Sequence, residues 1–494
     1  MIALSTRTLP EIPAGVEVFS YDRERLEPGI VHLSVGNFHR AHQCWYIDRL
    51  LHEPSNSHWA LCGVGLIDDA TERLKLEAFP AQNDLYTLTR YAPDGSCSHQ
   101  VIGAIVAYLF APADPEAVLE RMADPNTRIV SMTITEGGYN QDHATGTYRL
   151  DDTTTRAELA DPARPRTAFG YIVEALRRRR AAGTAPFTVM SCDNLRDNGL
   201  VTRHSVLSHA RALDPDLAAW IEAHVSFPST MVDRITPAVL KEDAERINAA
   251  CGVVDRLPVV SEEFAQWVIE DNFVNGRPAL ETVGAQLVPD VHPYELAKTR
   301  MLNASHSMLA YPGQLAGLQT VRDAITQEDI AQLVEMFMSR DVIPYLTAPP
   351  GMELEAYRDL IIARFGNPAV GDRLARITGD GASKLPTFIA PSWNALVEAG
   401  KDVHRIAFVL ACFIRYLRGR TDQDLAFTPF EPALPETQRH LAQSWETVFS
   451  MPVFASFSLE DVHRSLIRSL AEAMEREGTI AVLQDVLEKS LPHV

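Results

Sequence analysis

Val31-His-Leu-Ser-Val-Gly36-Asn-Phe-His-Arg-Ala-His42 is the stretch that decides the fold. Its apolar, β-branched opening predicts a buried strand over Val31–Gly36, and the residues after it predict a helix. A strand, a tight glycine turn and a helix N-terminus together make a phosphate site, because backbone N–H groups and the helix dipole point at the anion. The full dinucleotide fingerprint carries three glycines, and here Ser34, Gly36 and His39 fill its three slots. Gly36 keeps the slot where backbone must approach a pyrophosphate. Gly36, Asn37, Phe38, His39 and Arg40 are therefore candidate cofactor-binding residues, against the plainer reading of a turn that needs one glycine.

Working outward, the apolar runs Trp59–Leu66, Arg128–Thr135 and Phe187–Asp193 fit further buried parallel strands. Helical patterns such as Pro115–Met122 and Ala168–Arg180 alternate with them. That alternation predicts an α/β fold: a Rossmann-type, doubly wound domain over residues 1–290. Leu85–Ile105, with Asp94-Gly95 at its centre, reads as an inserted β-hairpin. Asp68 and Asp69 follow the second strand, where a carboxylate bonds a ribose 2′-hydroxyl and repels a 2′-phosphate, so NAD is expected over NADP. Surface solvation is the competing account of the two aspartates. Polar segments close two later strands, Thr133–Tyr139 with Glu136 as a further candidate cofactor contact, and Ser191–Gly199.

From residue 291 to 494 the pattern becomes mostly helical. Thr326-Gln-Glu-Asp329 predicts a capped helix start, Leu354–Phe365 a helix ending at Gly366, and His404–Leu417 a helix buried nearly all round. Arg177–Arg180, just before Gly183, reads as a last helical turn whose cations complement the dipole. Lys298-Thr-Arg-Met-Leu-Asn303-Ala-Ser-His306 sets a lysine, a carboxamide and an imidazole on one predicted α-helix. At 3.6 residues per turn, His306 lies roughly 80° and Asn303 roughly 140° around the axis from Lys298. A tunable base, a neutral donor and an orienting group on one side suit proton removal from an alcohol, although a half-exposed polar helix fits the same spacing.

The chain has 494 residues, which predicts two large domains, and a net charge of −20, which disfavours nucleic acid and anionic membranes as partners. The first 30 residues carry no signal-peptide pattern. Six scattered cysteines point to reduced thiols, so a cytoplasmic location is expected. Cys192 reads as a small buried hydrophobe.

The runs VGNFHRAHQ (35–43), TITEGGY (133–139), TVMSCDN (188–194), MVDRITP (231–237), EDNFVNGRP (270–278) and KTRMLNASH (298–306) resemble, in the same order and over essentially the whole length, the polyol-specific long-chain dehydrogenases. The resemblance implies a Rossmann-type domain followed by a helical one, with substrate in the cleft between them, no zinc, and a monomer or weak oligomer. It implies NAD-dependent oxidation of a sugar alcohol to a ketose, D-mannitol to D-fructose. D-Arabinitol oxidation, hexuronate (fructuronate or tagaturonate) reduction and a polyol-phosphate enzyme are the alternatives inside the family. Carried over, Lys298 is the general base, Asn194 and Asn303 hold the oxygen as it gains charge, and His306 orients the polyol. Glu295 relays protons, while Asp233, Arg376 and Lys384 bind the other hydroxyls. Ser34, and Asn37 where many relatives carry glycine or alanine, are departures expected to alter the loop without removing cofactor binding.

Three rival readings fit parts of the same pattern. Tyr294 and Lys298 form a Y-x3-K pair, which in short-chain dehydrogenases makes the tyrosine the acid, but it lies far beyond the glycine turn. His39 and His42 form an H-x2-H pair with no companion cluster for zinc. A non-enzymatic dinucleotide sensor leaves the retained Lys298, Asn303, His306, Asn194 and Glu295 unexplained.

Overall fold

The computed structural model describes residues 1–142, 146–368 and 371–490. The chain divides into two compact units, Met1–Ala92 with Ser96–His292, and Pro93–Gly95 with Pro293–Val494.

The first unit is built on five parallel strands: β1 (Pro28–Leu33), β2 (Ala60–Gly65), β3 (Ile105–Phe110), β4 (Ile129–Met132) and β5 (Thr188–Ser191). Their order is β3-β2-β1-β4-β5, that of a dinucleotide-binding doubly wound sheet. Register is set through the centre by Val31 opposite Cys62 on one side and Val130 on the other. Strand side chains alternate between faces, so both faces carry apolar residues. Val31, Leu33, Val64, Val130 and Val189 enter one core, and Ile30, Leu61, Ile105, Ile129 and Met190 enter the other. Two-sided burial is why these strands read as unbroken apolar runs.

Helices cross between the strands: Ala70–Ala81, Pro115–Ala123 and Ala168–Ala182. The last of these ends at Gly183, whose φ of 69° is a left-handed cap. Arg179 and Arg180 lie in its last turn, where the sequence pattern put them. Arg179 is also wholly buried, and its guanidinium donates to the carbonyls of Ala185, Met122, Asp124 and Thr127. The cation satisfies loop carbonyls that the core would otherwise leave unpaired.

The expected hairpin is present. Tyr86–Tyr91 pairs antiparallel with Cys97–Ile102, within a four-stranded sheet completed by Val259–Glu262 and Val16–Val18. A further three-stranded sheet joins Thr230–Asp233, Gln266–Glu270 and Gln286–Val288.

The second unit is helical, and no strand occurs in it among the described residues; it has the isolated bridge Thr320–Arg373 and one between Arg420 and Ala426. His404–Leu417 is buried on every side from Arg405 onward and packs against Ala304–Leu315, Asp461–Glu477 and Thr479–Lys489. The helix start expected at Thr326 is displaced. Thr326 ends the helix Val321–Thr326, and the next helix, Glu328–Met336, is capped by the Gln327 side chain, which accepts from the Ile330 N–H at 3.0 Å. The true capping box pairs Thr320 with Asp323. Among the described residues no helix is long and apolar enough to cross a membrane.

Candidate active site

In an open α/β sheet, ligands gather beyond the carboxyl ends of the strands where the order reverses, here between β1 and β4. β1 runs into the Ser34–Gly36 turn and the short helix Asn37–Ala41. Ser34 stands in the first glycine slot of this turn. It takes the left-handed conformation, φ 73°, for which glycine is ordinarily chosen, at a cost of about 1–2 kcal/mol. A Cβ added to Gly36 would meet nothing within 4 Å, so the turn faces open space. Asn37 and Phe38 are half-buried beside it.

His39, in the third glycine slot, is buried and stacks on His32 with ring centroids 3.4 Å apart. His32 in turn bonds Ser131 Oγ at 2.8 Å and Thr133 Oγ1 at 3.0 Å. Burial pushes the His32 imidazole down to about 3 and His39 well below its usual range, so the stack is neutral. Arg40 is buried too, donating to Asn37 Oδ1 at 2.7 Å and to the Leu257 carbonyl at 2.5 Å. The side chains of His39 and Arg40 thus brace the turn from inside. His42 directs Nε2 to the Gln266 carbonyl at 2.9 Å. The H-x2-H pair is core packing.

At the end of β2, Asp68 is exposed and receives a two-pronged bond from Arg73, at 2.6 and 2.8 Å. Arg73 holds its carboxyl below the ordinary range. Asp69 caps the helix Ala70–Ala81, accepting from the Glu72 N–H at 2.8 Å. At the end of β4, Glu136 is exposed on a one-turn helix, Thr135–Gly138.

Residues to which the sequence assigned no individual role hold these loops together. Asp193 accepts from the backbone N–H of Ile134 and Thr135 at 3.0 and 2.8 Å and from Tyr139 Oη at 2.9 Å, which ties the β4 loop to the β5 loop. Burial raises its carboxyl pKa. Asn198, fully buried, donates to the carbonyls of Asp193 and Thr230 at 2.9 and 2.8 Å, and accepts from the Thr230 N–H at 2.9 Å. It thereby sets exposed Asn194 relative to the strand Thr230–Asp233, whose last residue is buried. Arg234 donates to Ala41 O at 2.6 Å and lies over the Trp45 ring at 4.7 Å. Burial pulls its guanidinium down to about 9. The Asp-Asn dipeptides were visible in the sequence as strand-end polar residues; nothing local marked their partners. Cys192 is buried, as expected of a small hydrophobe.

His292–Ala297, Lys298–Asn303 and Ala304–Leu315 form one unbroken helical run, in the second unit from Pro293 onward. The middle segment is a π-helix, which corrects the α-helical geometry read from the spacing. With i→i+5 bonds a turn takes more residues than 3.6, so a five-residue step overshoots a full turn by less than the roughly 140° of an α-helix. Asn303 is brought round toward the Lys298 side. Lys298 and Glu295 are buried, and Asn303 and His306 half-buried, the His306 ring lying 4.4 Å from that of Phe365. Tyr294 donates its hydroxyl to the Pro350 carbonyl at 2.8 Å, which engages the rival acid elsewhere. Arg376 is exposed and bonded to Asp372, with one contact at 2.7 Å. Lys384 donates to the carbonyls of Ile377 and Gly379 at 3.1 and 2.5 Å.

Residues 28–282 match the family described as mannitol dehydrogenase Rossmann domain, and residues 290–477 the mannitol dehydrogenase C-terminal domain. A polyol:NADP oxidoreductase of Gluconobacter oxydans (strain 621H) is 49% identical over 454 residues, covering 91% of this chain and 93% of that protein. The structure of a D-sorbitol dehydrogenase in substrate-free form superposes with a TM-score of 0.92 at 45% identity, covering 98% of this chain and 100% of the other. That of Pseudomonas fluorescens mannitol 2-dehydrogenase, a ternary complex with NAD and D-mannitol, gives 0.88 at 36%, covering 99% and 100%.

Proposed function

The chain belongs to the mannitol dehydrogenase family, and we propose that it oxidises a sugar alcohol to the corresponding ketose with NAD, D-mannitol to D-fructose, using Lys298 as the base and no zinc. One observation carries this reading: a buried lysine opens a π-helical segment that Asn303 closes.

The first unit fits a dinucleotide. The open turn at Gly36 suits a pyrophosphate, and a carboxylate stands at the end of β2 for the ribose hydroxyls. Bound NAD supplies the acceptor for the hydride that leaves the carbinol carbon. The chain's own part is the proton. In water a lysine is an ammonium ion at neutral pH and accepts nothing. To act as the base, Lys298 has to present the free amine, the form that exclusion of water favours in general. Its Nζ takes the hydroxyl proton as the C–H bond is lost. Asn194 and Asn303 donate amide N–H groups to the oxygen while it carries negative charge, which neutral donors do without retaining the product. His306 orients the polyol, and Glu295, three residues before the lysine, passes the proton on. Asp233 accepts from a further hydroxyl. Arg376 and Lys384 exchange their present partners for substrate oxygens.

A second cofactor reading has its own observation. Arg73 beside Asp68 offers the cation that a 2′-phosphate requires, which is in keeping with the NADP named for the Gluconobacter relative. The test of both is a panel of mannitol, arabinitol, sorbitol and xylitol with NAD and NADP, followed at the absorbance of the reduced nicotinamide and repeated with a chelator. Mannitol with NAD is expected to give the highest kcat/KM, unchanged by the chelator. Reduction of neither cofactor by any polyol overturns the proposal.

A further inference from the structure

Arg300 occupies the middle of the π segment, is buried, and has no carboxylate within ion-pair distance among the described residues. Its Nη1 donates to the Tyr345 carbonyl at 3.2 Å and its Nη2 to Ser392 Oγ at 3.0 Å, while Nε has no acceptor among the described residues. A guanidinium buried without a counter-ion is costly, and burial alone lowers its pKa. For packing, an apolar side chain of the same length would serve better.

The partners explain its place. Tyr345 closes a short 3₁₀ turn, Ile343–Tyr345, that directly follows a second π segment, Phe337–Val342. Ser392 is fully buried in the helix Ala390–Glu398. A π segment has weaker internal preference than the α-helix it interrupts, so outside contacts must fix its rotation about the axis. Arg300 supplies two, on two separate elements, from a position two residues after Lys298 and three before Asn303.

We infer that Arg300 is a positioning residue for proton removal: it pins the π register and so fixes the bearing of Lys298 relative to Asn303. It touches no substrate. The inference rests on the reading of Lys298 as the base. Without the pin the segment relaxes toward α-helical register, Asn303 swings away from the lysine, and the pair no longer meets one oxygen. A misplacement of about 1 Å is enough to cost 10²-fold in rate.

The test uses the full-length enzyme with Arg300→Met, Arg300→Ala, Ser392→Ala and Lys298→Ala. Arg300→Met is expected to lower kcat about 10²-fold with the KM for the dinucleotide unchanged, and Ser392→Ala to lower it several-fold in the same manner. Millimolar guanidinium added to Arg300→Ala restores part of kcat, and leaves Arg300→Met, whose side chain fills the space, unaffected. A merely structural role predicts loss of folded protein, or equal change in kcat and KM, with no rescue. If Lys298→Ala is inactive while Arg300→Met and Ser392→Ala keep wild-type kcat, this inference fails alone. If Lys298→Ala keeps turnover, the base assignment fails first. Where Arg300→Met does not fold, Ser392→Ala and the rescue of Arg300→Ala decide.

Discussion

The glycine turn of the first unit is braced by side chains that arrive from across the chain: Arg40 reaches Leu257, 217 residues away, and Arg234 reaches back 193 residues to Ala41. In the second unit Glu295, Lys298, Asn303 and His306 lie on one helical run, and rotation about that single axis decides their bearing. The turn offers mainly backbone, held in shape by a shell of buried polar groups. The helix offers side chains, held in place by its own hydrogen-bond register. Substitutions should therefore fail differently in the two regions: in unit one through loss of structure, in unit two through loss of rate with structure kept.

The largest expected effect tests the second half of that contrast. Lys298→Ala should lower kcat by about 10³-fold, in the range of a lost general base, while dinucleotide affinity measured by fluorescence titration stays within a factor of two or so. Turnover near wild type in that variant would remove the lysine from the mechanism. Asn198→Ala is the counterpart in unit one. It deletes four buried hydrogen bonds and strands the Thr230 N–H, so the unfolding transition should lose about 3 kcal/mol in urea titration. A loss confined to kcat, with unaltered stability, would mean that the shell is catalytic rather than structural.

The same contrast accounts for what could be read from the sequence. Strands buried on both faces appear as continuous apolar runs, so the sheet was legible, as were helices with clear ends at Gly183 and Gly366. The lysine helix was legible because its chemistry is contiguous. The supporting roles of Asp193, Asn198 and Arg234 were not, since each depends on a partner brought close only by the fold. Nor was the π register: a step of five residues from Lys298 to Asn303 fits either helix, and the choice is made by packing. Ser34 was read as a departure for a similar reason, because composition shows the missing glycine but not the left-handed backbone that serine adopts in its place.

A pH series sharpens the account of the neutral shell. His32 has a folded-state pKa near 3, below the ordinary 6.5, so the unfolded chain takes up this proton first as pH falls. Its contribution is fully present above about 6.5 and is lost progressively toward 3. Against a His32→Gln variant, the wild-type advantage should narrow by about 1.4 kcal/mol for each pH unit below 6.5. Comparing the two proteins cancels the buried carboxylates, such as Asp193, whose raised pKa acts in the opposite direction. A constant difference across that range would show that His32 is charged in the fold and that the stack is held by something else.

The smallest effect lies at the rim, where unit one should behave like unit two. Asp68 and Arg73 are exposed, and water and salt screen a surface ion pair of this kind. Asp68→Ala should therefore leave stability almost untouched. What it removes is the proposed acceptor for the ribose 2′-hydroxyl and the repulsion of a 2′-phosphate, while Arg73 is released to meet that phosphate. The ratio of kcat/KM for NAD to that for NADP should fall about tenfold, the worth of one hydrogen bond to a charged group. The companion variant Arg73→Ala should move the ratio the other way. If both substitutions shift the ratio in the same direction, or neither shifts it, the pair is ordinary surface chemistry and cofactor choice is made elsewhere on the β2 loop. Opposite shifts at unchanged stability would separate this rim from the braced turn only a strand away, where every comparable change is expected to cost structure first.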